Sequence, residues 1–230
     1  MAVQYNPRIV TEGLNLYLDA ANLQSYVTGS TWFSLIGTGA ARKQGSLSPT
    51  WPSWNSAGYF SFTGGVIADN KSRFDLSTPQ YSQITMMLWY RPSSLNGTDN
   101  VYLCRMDNDD FGAYTNNAGV GVAAGINYFT TSVTSGDLRP SGLTYGRWCH
   151  IALRFDGQTL NGYFNGVCFG TAALASATAV GAGTLRIGTR DDAYAAHFYG
   201  DIGPIIIYNR VLSQDEIQQN FINFKGRFGI

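Results

Sequence analysis

Two carboxylates facing each other across a cleft are the first chemistry to look for, because such a pair can cleave a glycosidic bond. The two groups must stand about 5 to 9.5 Å apart, one giving a proton and the other attacking or activating water. The chain of 230 residues has only two glutamates, Glu12 and Glu216. Glu12 lies outside any strand-like run. Glu216 stands three residues after Ser213, the spacing of a helix capping box. No strand-like segment carries acids at alternate positions. A Ser-His-Asp arrangement is no better supported. His150 sits in an alternating apolar segment, where a packing role is expected, and His197 lies beside Phe198. Neither is near a Gly-x-Ser-x-Gly elbow. These residues predict no catalytic site and a protein that is not an enzyme.

Oxygen ligands are more plentiful. Asp107, Asn108, Asp109 and Asp110 fall in one loop, and Asp191 and Asp192 in another. Calcium needs several convergent oxygens from loops of this kind. Asp and Asn also favour solvated turns, which need no metal. No cofactor is required by any motif; calcium is the one ion the residues invite. Sugar binding would use aromatic platforms beside planar polar groups. Trp51, Trp54, Tyr114, Tyr128 and Tyr194 are candidate platforms, with Asn116, Asn117, Arg190 and Asp191 as polar partners. Trp51 and Trp54 flank Pro52 in an irregular stretch and read equally well as core. Trp89 and Trp148 are expected in the core, as large aromatics usually are.

Composition narrows the partners. Fifteen acidic and fifteen basic residues cancel, and no basic stripe is present, which argues against nucleic acid. Charged residues make up 13% of the chain, a sparse covering that suits a surface meeting other subunits. No apolar run approaches the ~20 residues of a membrane span. The segment Met1 to Pro7 lacks the features of a secretory signal. The cysteines are odd in number, Cys104, Cys149 and Cys168. Cys149 and Cys168 are placed to face each other across a hairpin, but buried free thiols are the expectation.

The elements that would position these groups are strands. Leu14, Leu16 and Leu18 alternate with polar neighbours, the period of a half-buried strand. Ile84 to Tyr90 is continuously apolar. Cys149, Ile151, Leu153 and Phe155 share one face of a strand, and His150, Ala152 and Arg154 the other. Asp156-Gly157 and Asn165-Gly166 are turn signals bounding the return strand. Further strands read at 59–62, 100–105, in the Gly-rich run through Val133, and at 185–188. Residues 28–56 read as irregular and 171–183 as a loose connection. Ile205 to Tyr208 is apolar on both faces, so it should be covered on both sides. Ser213 then caps a short helix that carries Ile217, Phe221 and Phe224 on one side.

Phe198, Gly200, Ile202, Tyr208-Asn209-Arg210, Leu212-Ser213 and Glu216-Ile217 together resemble the closing segment of laminin-G-like, concanavalin-A-like jelly-roll domains. Trp148-Cys149-His150-Ile151-Ala152, Asp156-Gly157 and Tyr163-Phe164-Asn165-Gly166 resemble that family's Trp-x-His-x-Ala hairpin. The apolar strand at 84–90 is similar to its central Trp strand. Leu14 to Tyr26 resembles the opening of phage-encoded members. The resemblance covers roughly residues 13–225. The family's acidic motif after Phe-x-Gly reads Phe62-Thr63-Gly64-Gly65-Val66-Ile67, without its Asp pair, which weakens a calcium site borrowed from relatives.

The resemblance implies an all-β, two-sheet antiparallel sandwich of jelly-roll type with one short C-terminal helix. Residues 1–12 would be an arm and 13–230 the domain. The strand at Leu14–Leu18 should pair near Ile205–Tyr208, with Arg210 meeting an acid such as Asp19. It implies a bacteriophage virion structural or decoration protein of capsid or tail, assembled in the host cytoplasm. Such a protein would associate with itself and other virion proteins and could meet host glycans. The alternative is a free, extracellular carbohydrate-binding lectin that uses calcium; a glycan hydrolase is the third reading.

Overall fold

A computed structural model of the chain describes residues 8–44, 52–63, 73–93, 101–106, 111–116, 119–124, 131–134, 145–173, 179–180, 182–189 and 198–230. Among them are sixteen strands and one helix. The strands are β1 (Leu14–Leu18), β2 (Thr31–Phe33), β3 (Ala40–Gln44), β4 (Ser53–Asn55), β5 (Tyr59–Thr63), β6 (Arg73–Thr78), β7 (Ile84–Pro92) and β8 (Val101–Met106). They continue as β9 (Phe111–Asn116), β10 (Gly119–Ala124), β11 (Thr131–Thr134), β12 (Cys149–Phe155), β13 (Thr159–Phe164), β14 (Val167–Ala173), β15 (Gly183–Ile187) and β16 (Tyr199–Tyr208). The helix α1 spans Gln214–Phe228.

The strands form two eight-stranded sheets. The front sheet runs β14-β13-β12-β7-β16-β5-β4, with β1 also on β16; the back sheet runs β11-β10-β9-β8-β15-β6-β3-β2. The strand pairs are antiparallel. The jelly-roll sandwich with a C-terminal helix is therefore as expected. Strand alternation decides what each face buries. Met86, Leu88 and Tyr90 of β7, Ile205 and Ile207 of β16, and Ile151, Leu153 and Phe155 of β12 point between the sheets. They meet Phe74, Leu103, Met106, Leu185 and Ile187 of the back sheet. Met87 and Trp89, Ile206 and Tyr208, and Ala152 point to the opposite face and lie under α1. Ile205–Tyr208 is thus covered on both sides, as its composition implies.

The helix is fixed at both ends. Ser213 accepts from the Glu216 N–H (3.2 Å), and Glu216 Oε2 accepts from the Ser213 N–H (2.8 Å), completing the capping box. Gly229 ends the helix in the left-handed conformation. Ile217, Phe221, Phe224 and Phe228 face the sheet, each contributing about 1.5–3 kcal/mol by burial.

β1 pairs antiparallel with β16, Leu14 opposite Tyr208 and Leu18 opposite Ile205, as expected. The ion pair drawn from that pairing is not formed. Asp19 takes two bonds from Arg227 (2.8 and 3.0 Å), and Arg210 pairs with Glu216, Nη1 to Oε2 at 2.9 Å. Antiparallel pairing explains this: Asp19 follows Leu18 at one end of the ribbon, and Arg210 follows Tyr208 at the other. Residues 8–10 of the arm lie on α1, where Asn220 accepts from the Val10 N–H (2.9 Å) and Tyr208 donates to the Val10 carbonyl (2.9 Å).

Four other expectations are revised. Residues 28–56 contain three short strands, β2 to β4. Residues 171–173 extend β14 instead of beginning a loose connection. The cysteines are free, but Cys168 is exposed and pairs in register with Tyr163, not with Cys149. Trp148 is half-buried at the edge of the helix-covered cluster. Among the described residues, no helix is long and apolar enough to cross a membrane.

Candidate functional site

Among the described residues, α1 covers one half of the outer face of the front sheet. The other half carries polar and aromatic side chains. Phe60, Phe62, Tyr90 and Ile202 turn inward, so their neighbours Tyr59, Ser61, Arg91 and Asp201 turn outward. Asp201 lies opposite Ser61 of β5 and Arg91 of β7 in register. Three adjacent strands therefore place one acid between a hydroxyl and a guanidinium.

The bonds follow this register. Arg91 Nε donates to Asp201 Oδ2 at 2.7 Å, and Ser61 Oγ donates to Asp201 Oδ1 at 2.5 Å. Arg91 Nη2 also donates to the Tyr59 hydroxyl at 3.2 Å. The Asp201 side chain is only 10% exposed, against 32% for Arg91. Burial works against the Arg91 charge, but the hydrogen bond and charge of Asp201 outweigh it and push the Arg91 pKa up. The guanidinium lies over the rings of Tyr59 (5.2 Å) and Trp148 (5.3 Å), within cation–π range. Those rings meet edge to face at 5.2 Å. Trp148 rests in turn on Phe228 at 4.4 Å, so the end of α1 borders the open half.

Two more aromatics, both exposed, stand on neighbouring backbone. Tyr199 is 42% exposed and precedes Asp201 by two residues on the same face. Tyr145 is 52% exposed, and the Gly146 N–H donates to the Pro92 carbonyl (2.8 Å) just past Arg91. Gly200 has φ +149°, and a Cβ there would collide with the Arg91 carbonyl and the Phe198 ring. A glycine is required for β16 to lie this close to β7 beside the pair. The arrangement offers flat aromatic faces, hydroxyls and a neutralised ion pair on a shallow surface. These are groups that hold a flat, polyhydroxylated ligand by stacking and hydrogen bonds.

The sequence singled out other residues. Trp54 is half-exposed on edge strand β4, but its Nε1–H donates to the Ala20 carbonyl (2.9 Å) and its ring leans on Tyr26 at 6.0 Å. It stands opposite the inward Phe60, off the outer face. Tyr114 is buried against Tyr102, ring centroids 5.6 Å apart, so it is no platform. Asn116 ends β9 in the back sheet. Trp51, Asn117, Tyr128, Arg190 and Tyr194 lie outside the described residues, as do the calcium candidates Asp107, Asp109, Asp110, Asp191 and Asp192. Among the described residues, no group of three or more His, Cys, Asp or Glu could hold a metal ion. His150 is packed, as expected: it lies between Trp89 (4.6 Å) and Phe221 (5.4 Å).

Sequence reasoning missed Tyr59, Arg91, Tyr199 and Asp201. Their signal was alternation: each stands next to a large apolar or aromatic residue, Phe60, Tyr90, Phe198 or Ile202. What the sequence withheld was that these three strands are neighbours.

The fold recurs in solved structures at low identity. A Trypanosoma rangeli sialidase in complex with the inhibitor DANA superposes with TM-score 0.66 at 15% identity, over 93% of this chain and 33% of the sialidase. Domain 4 of a GH43 extracellular arabinanase from Geobacillus stearothermophilus, in complex with arabinotriose, superposes with TM-score 0.61 at 14% identity, over 90% and 97%. The binding domain of botulinum neurotoxin DC in complex with SialylT gives TM-score 0.68 at 13% identity, over 91% and 51%. The chain spans about a third of the length of the sialidase it matches. No curated protein matches it by sequence.

These likenesses correct one expectation. The reading that the chain is not an enzyme fails, because chains of this shape include a sialidase and a domain of an arabinanase. The physical reason is that a missing glutamate pair does not exclude glycoside chemistry, since some families use a tyrosine nucleophile or the substrate itself. At this identity the likeness shows the fold alone. The sequence itself carries the family: residues 63–218 match its model, and the chain belongs to the concanavalin A-like lectin/glucanases superfamily.

Proposed function

We propose that the protein binds glycans on the open half of its front sheet. One observation carries the reading: Tyr59 and Trp148 lie against the Arg91–Asp201 pair, with exposed Tyr199 two residues before Asp201 on the same strand, on a face that the helix leaves uncovered. Aromatic faces pack on the C–H faces of sugars, while Ser61, Tyr59 and the pair offer hydrogen bonds around them. The sialidase, arabinanase domain and toxin domain were solved in complex with the inhibitor DANA, arabinotriose and SialylT respectively, which is consistent with this use of the fold.

A glycan array tests the reading, read with the wild type and with Tyr199→Ala. Specific binding that weakens at least tenfold in the variant supports it. Silence across neutral and sialylated glycans sinks it. Repeating the array with a chelator tests whether a calcium ion, for which Asp107, Asp109, Asp110, Asp191 and Asp192 would be the ligands, belongs to the same function.

A second reading concerns where the protein works. Leu23, Val27 and Phe33 are exposed at 72%, 64% and 52% along one edge of the sandwich, where the Phe33 N–H donates to the Ser25 carbonyl (2.8 Å). An apolar edge of this kind suits burial in an assembly. Taken with the resemblance of Leu14–Tyr26, it supports a virion structural role in capsid or tail. A purified phage particle lacking this polypeptide would remove that role.

A further inference from the structure

A groove lies between β1, the β2–β3 turn and the end of β6. It is a different place from the Arg91–Asp201 face. β1 pairs with the Ile205–Tyr208 half of β16, and Asp201 sits at the other half. Six residues of strand, about 20 Å, separate Asp201 from the end facing Asn15. The groove holds about 270 Å³, just under the range of pockets for drug-sized ligands.

Its lining has two parts. Leu16 and Leu76 are buried and form an apolar floor. Asn15, Thr38, Ser77 and Tyr81 supply polar groups. The Tyr81 hydroxyl donates to Asn15 Oδ1 at 2.6 Å. That bond uses the Asn15 carbonyl oxygen and leaves its NH₂ with two donors. Among the described residues, the Thr38 and Ser77 hydroxyls have no hydrogen-bond partner in the protein, and both residues are exposed. Tyr81 is held rigidly, exchanging two backbone bonds of 2.8 Å with Val180. Gly39 lets the turn close over the floor, since even a Cβ there would stand 3.2 Å from Leu16 Cδ1. No charged residue lines the groove among the described residues.

We infer that this groove is a second binding site, for a small uncharged polyol such as a neutral mono- or disaccharide. Each alternative meets a specific cost. An ion would lose hydration with no counter-charge to meet it. A hydrocarbon would use only the Leu16–Leu76 floor and leave the exposed amide and hydroxyls of Asn15, Thr38 and Ser77 without a role. A pyranose ring has one apolar C–H face for the Leu16–Leu76 floor and a ring of hydroxyls for the rim. Burial pushes the Tyr81 pKa up to about 12, so its hydroxyl keeps its proton at neutral pH and the Asn15 amide stays oriented. This site does not depend on glycan binding at the Arg91–Asp201 face.

The test is titration of ¹⁵N-labelled protein with maltose, lactose and chitobiose, with glucuronate as the charged control. At millimolar sugar, at least one neutral disaccharide should shift the Asn15 side-chain amide and the backbone amides of Gly37, Gly39 and Ser77 in a saturable way. Thr38→Trp, an exposed turn position that would fill the groove, should weaken that response at least tenfold while the rest of the spectrum stays folded. Ser77→Ala should weaken it by less. Tyr199→Ala should leave it unchanged, which separates this site from the other. Three results would overturn the inference: no saturable shift with any neutral sugar, equal or tighter binding of glucuronate, or shifts that vanish with Tyr199→Ala and survive Thr38→Trp.

Discussion

The two halves of the outer face of the front sheet share β7 and β16, which run through both. They differ most in what stands at the outward positions. On one half these are Met87, Trp89, Ala152, Ile206 and Tyr208, and a helix covers them. On the other they are Tyr59, Ser61, Arg91, Asp201 and Tyr199, and no described helix covers them beyond the last turn of α1. β7 and β16 each cross the boundary within two to five residues, Trp89 to Arg91 and Ile206 to Asp201. A single strand thus supplies both a core and a surface, and the change of side-chain type marks where a covering element stops. The polar half is more than leftover surface. A solvated face needs no aromatics stacked about a guanidinium.

Removing an aromatic from the covered half should cost most. Phe224 is 4% exposed and packs on Trp89 at 4.5 Å and Tyr17 at 6.4 Å. Phe224→Ala should destabilise the fold by about 3–4 kcal/mol, read as a lower denaturation midpoint at unchanged slope. A loss below about 1 kcal/mol would mean that α1 is not part of the core. His150 sharpens the same contrast through pH. Burial lowers its pKa to about 3, from 6.5 when exposed. Neither ring nitrogen has a hydrogen-bond partner among the described residues. As pH falls below about 6.5, the unfolded chain takes up a proton that the folded chain refuses. The stability associated with His150 is therefore complete above pH 6.5 and declines as pH drops towards 3. His150→Phe, which keeps a ring between Trp89 and Phe221, should flatten that part of the pH–stability curve.

What the sequence disclosed follows the same division. The covered half was legible because apolar residues at a fixed period state their own partners: Ile205–Tyr208 needed two covers, and the capped helix with Ile217, Phe221 and Phe224 was the available second one. The open half was not legible. Arg91 reads as a strand end before Pro92, and Asp201 as one acid in a glycine-punctuated entry. Only the order β7-β16-β5, a pairing between residues more than a hundred apart, brings them together. Aromatic content misled for a related reason. Tyr114 and Trp54 looked like platforms by type, but a tyrosine facing Tyr102 across the β8–β9 pair and a tryptophan bonded to the Ala20 carbonyl are fixed by partners that residue type does not reveal. The Asp19–Arg210 pairing failed because strand direction, not proximity to the termini, decides which ends meet.

Smaller effects probe the open half and the edge of the covered one. Arg91→Ala leaves the nearly buried Asp201 carboxylate with Ser61 as its remaining side-chain partner. The cost should be about 1–2 kcal/mol, between that of exposed and fully buried pairs. Adding Asp201→Ala to Arg91→Ala should recover part of it, as a double-mutant cycle would measure. Strict additivity would show that the pair is not coupled. Ser213→Ala removes the hydroxyl half of the capping box and should cost about 1 kcal/mol. Glu216 retains its bond from the Ser213 N–H and its pairing with Arg210, whose hydrogen bond holds the Glu216 pKa down to about 2.

The smallest effect on stability is the most discriminating. Tyr199 is 42% exposed and no described ring or side-chain hydrogen bond fixes it. Tyr199→Ala should therefore change stability by less than about 0.5 kcal/mol, the usual range for exposed positions away from special features. Phe224→Ala would reduce ligand binding only by reducing the folded fraction. Tyr199→Ala should reduce binding with the melting transition in place. If the open half is a recognition surface, these two aromatics, on the open face and under the helix, separate affinity from stability. If Tyr199→Ala instead lowers the melting transition as Phe224→Ala does, the open half is core that some further element covers, and the contrast between the halves disappears.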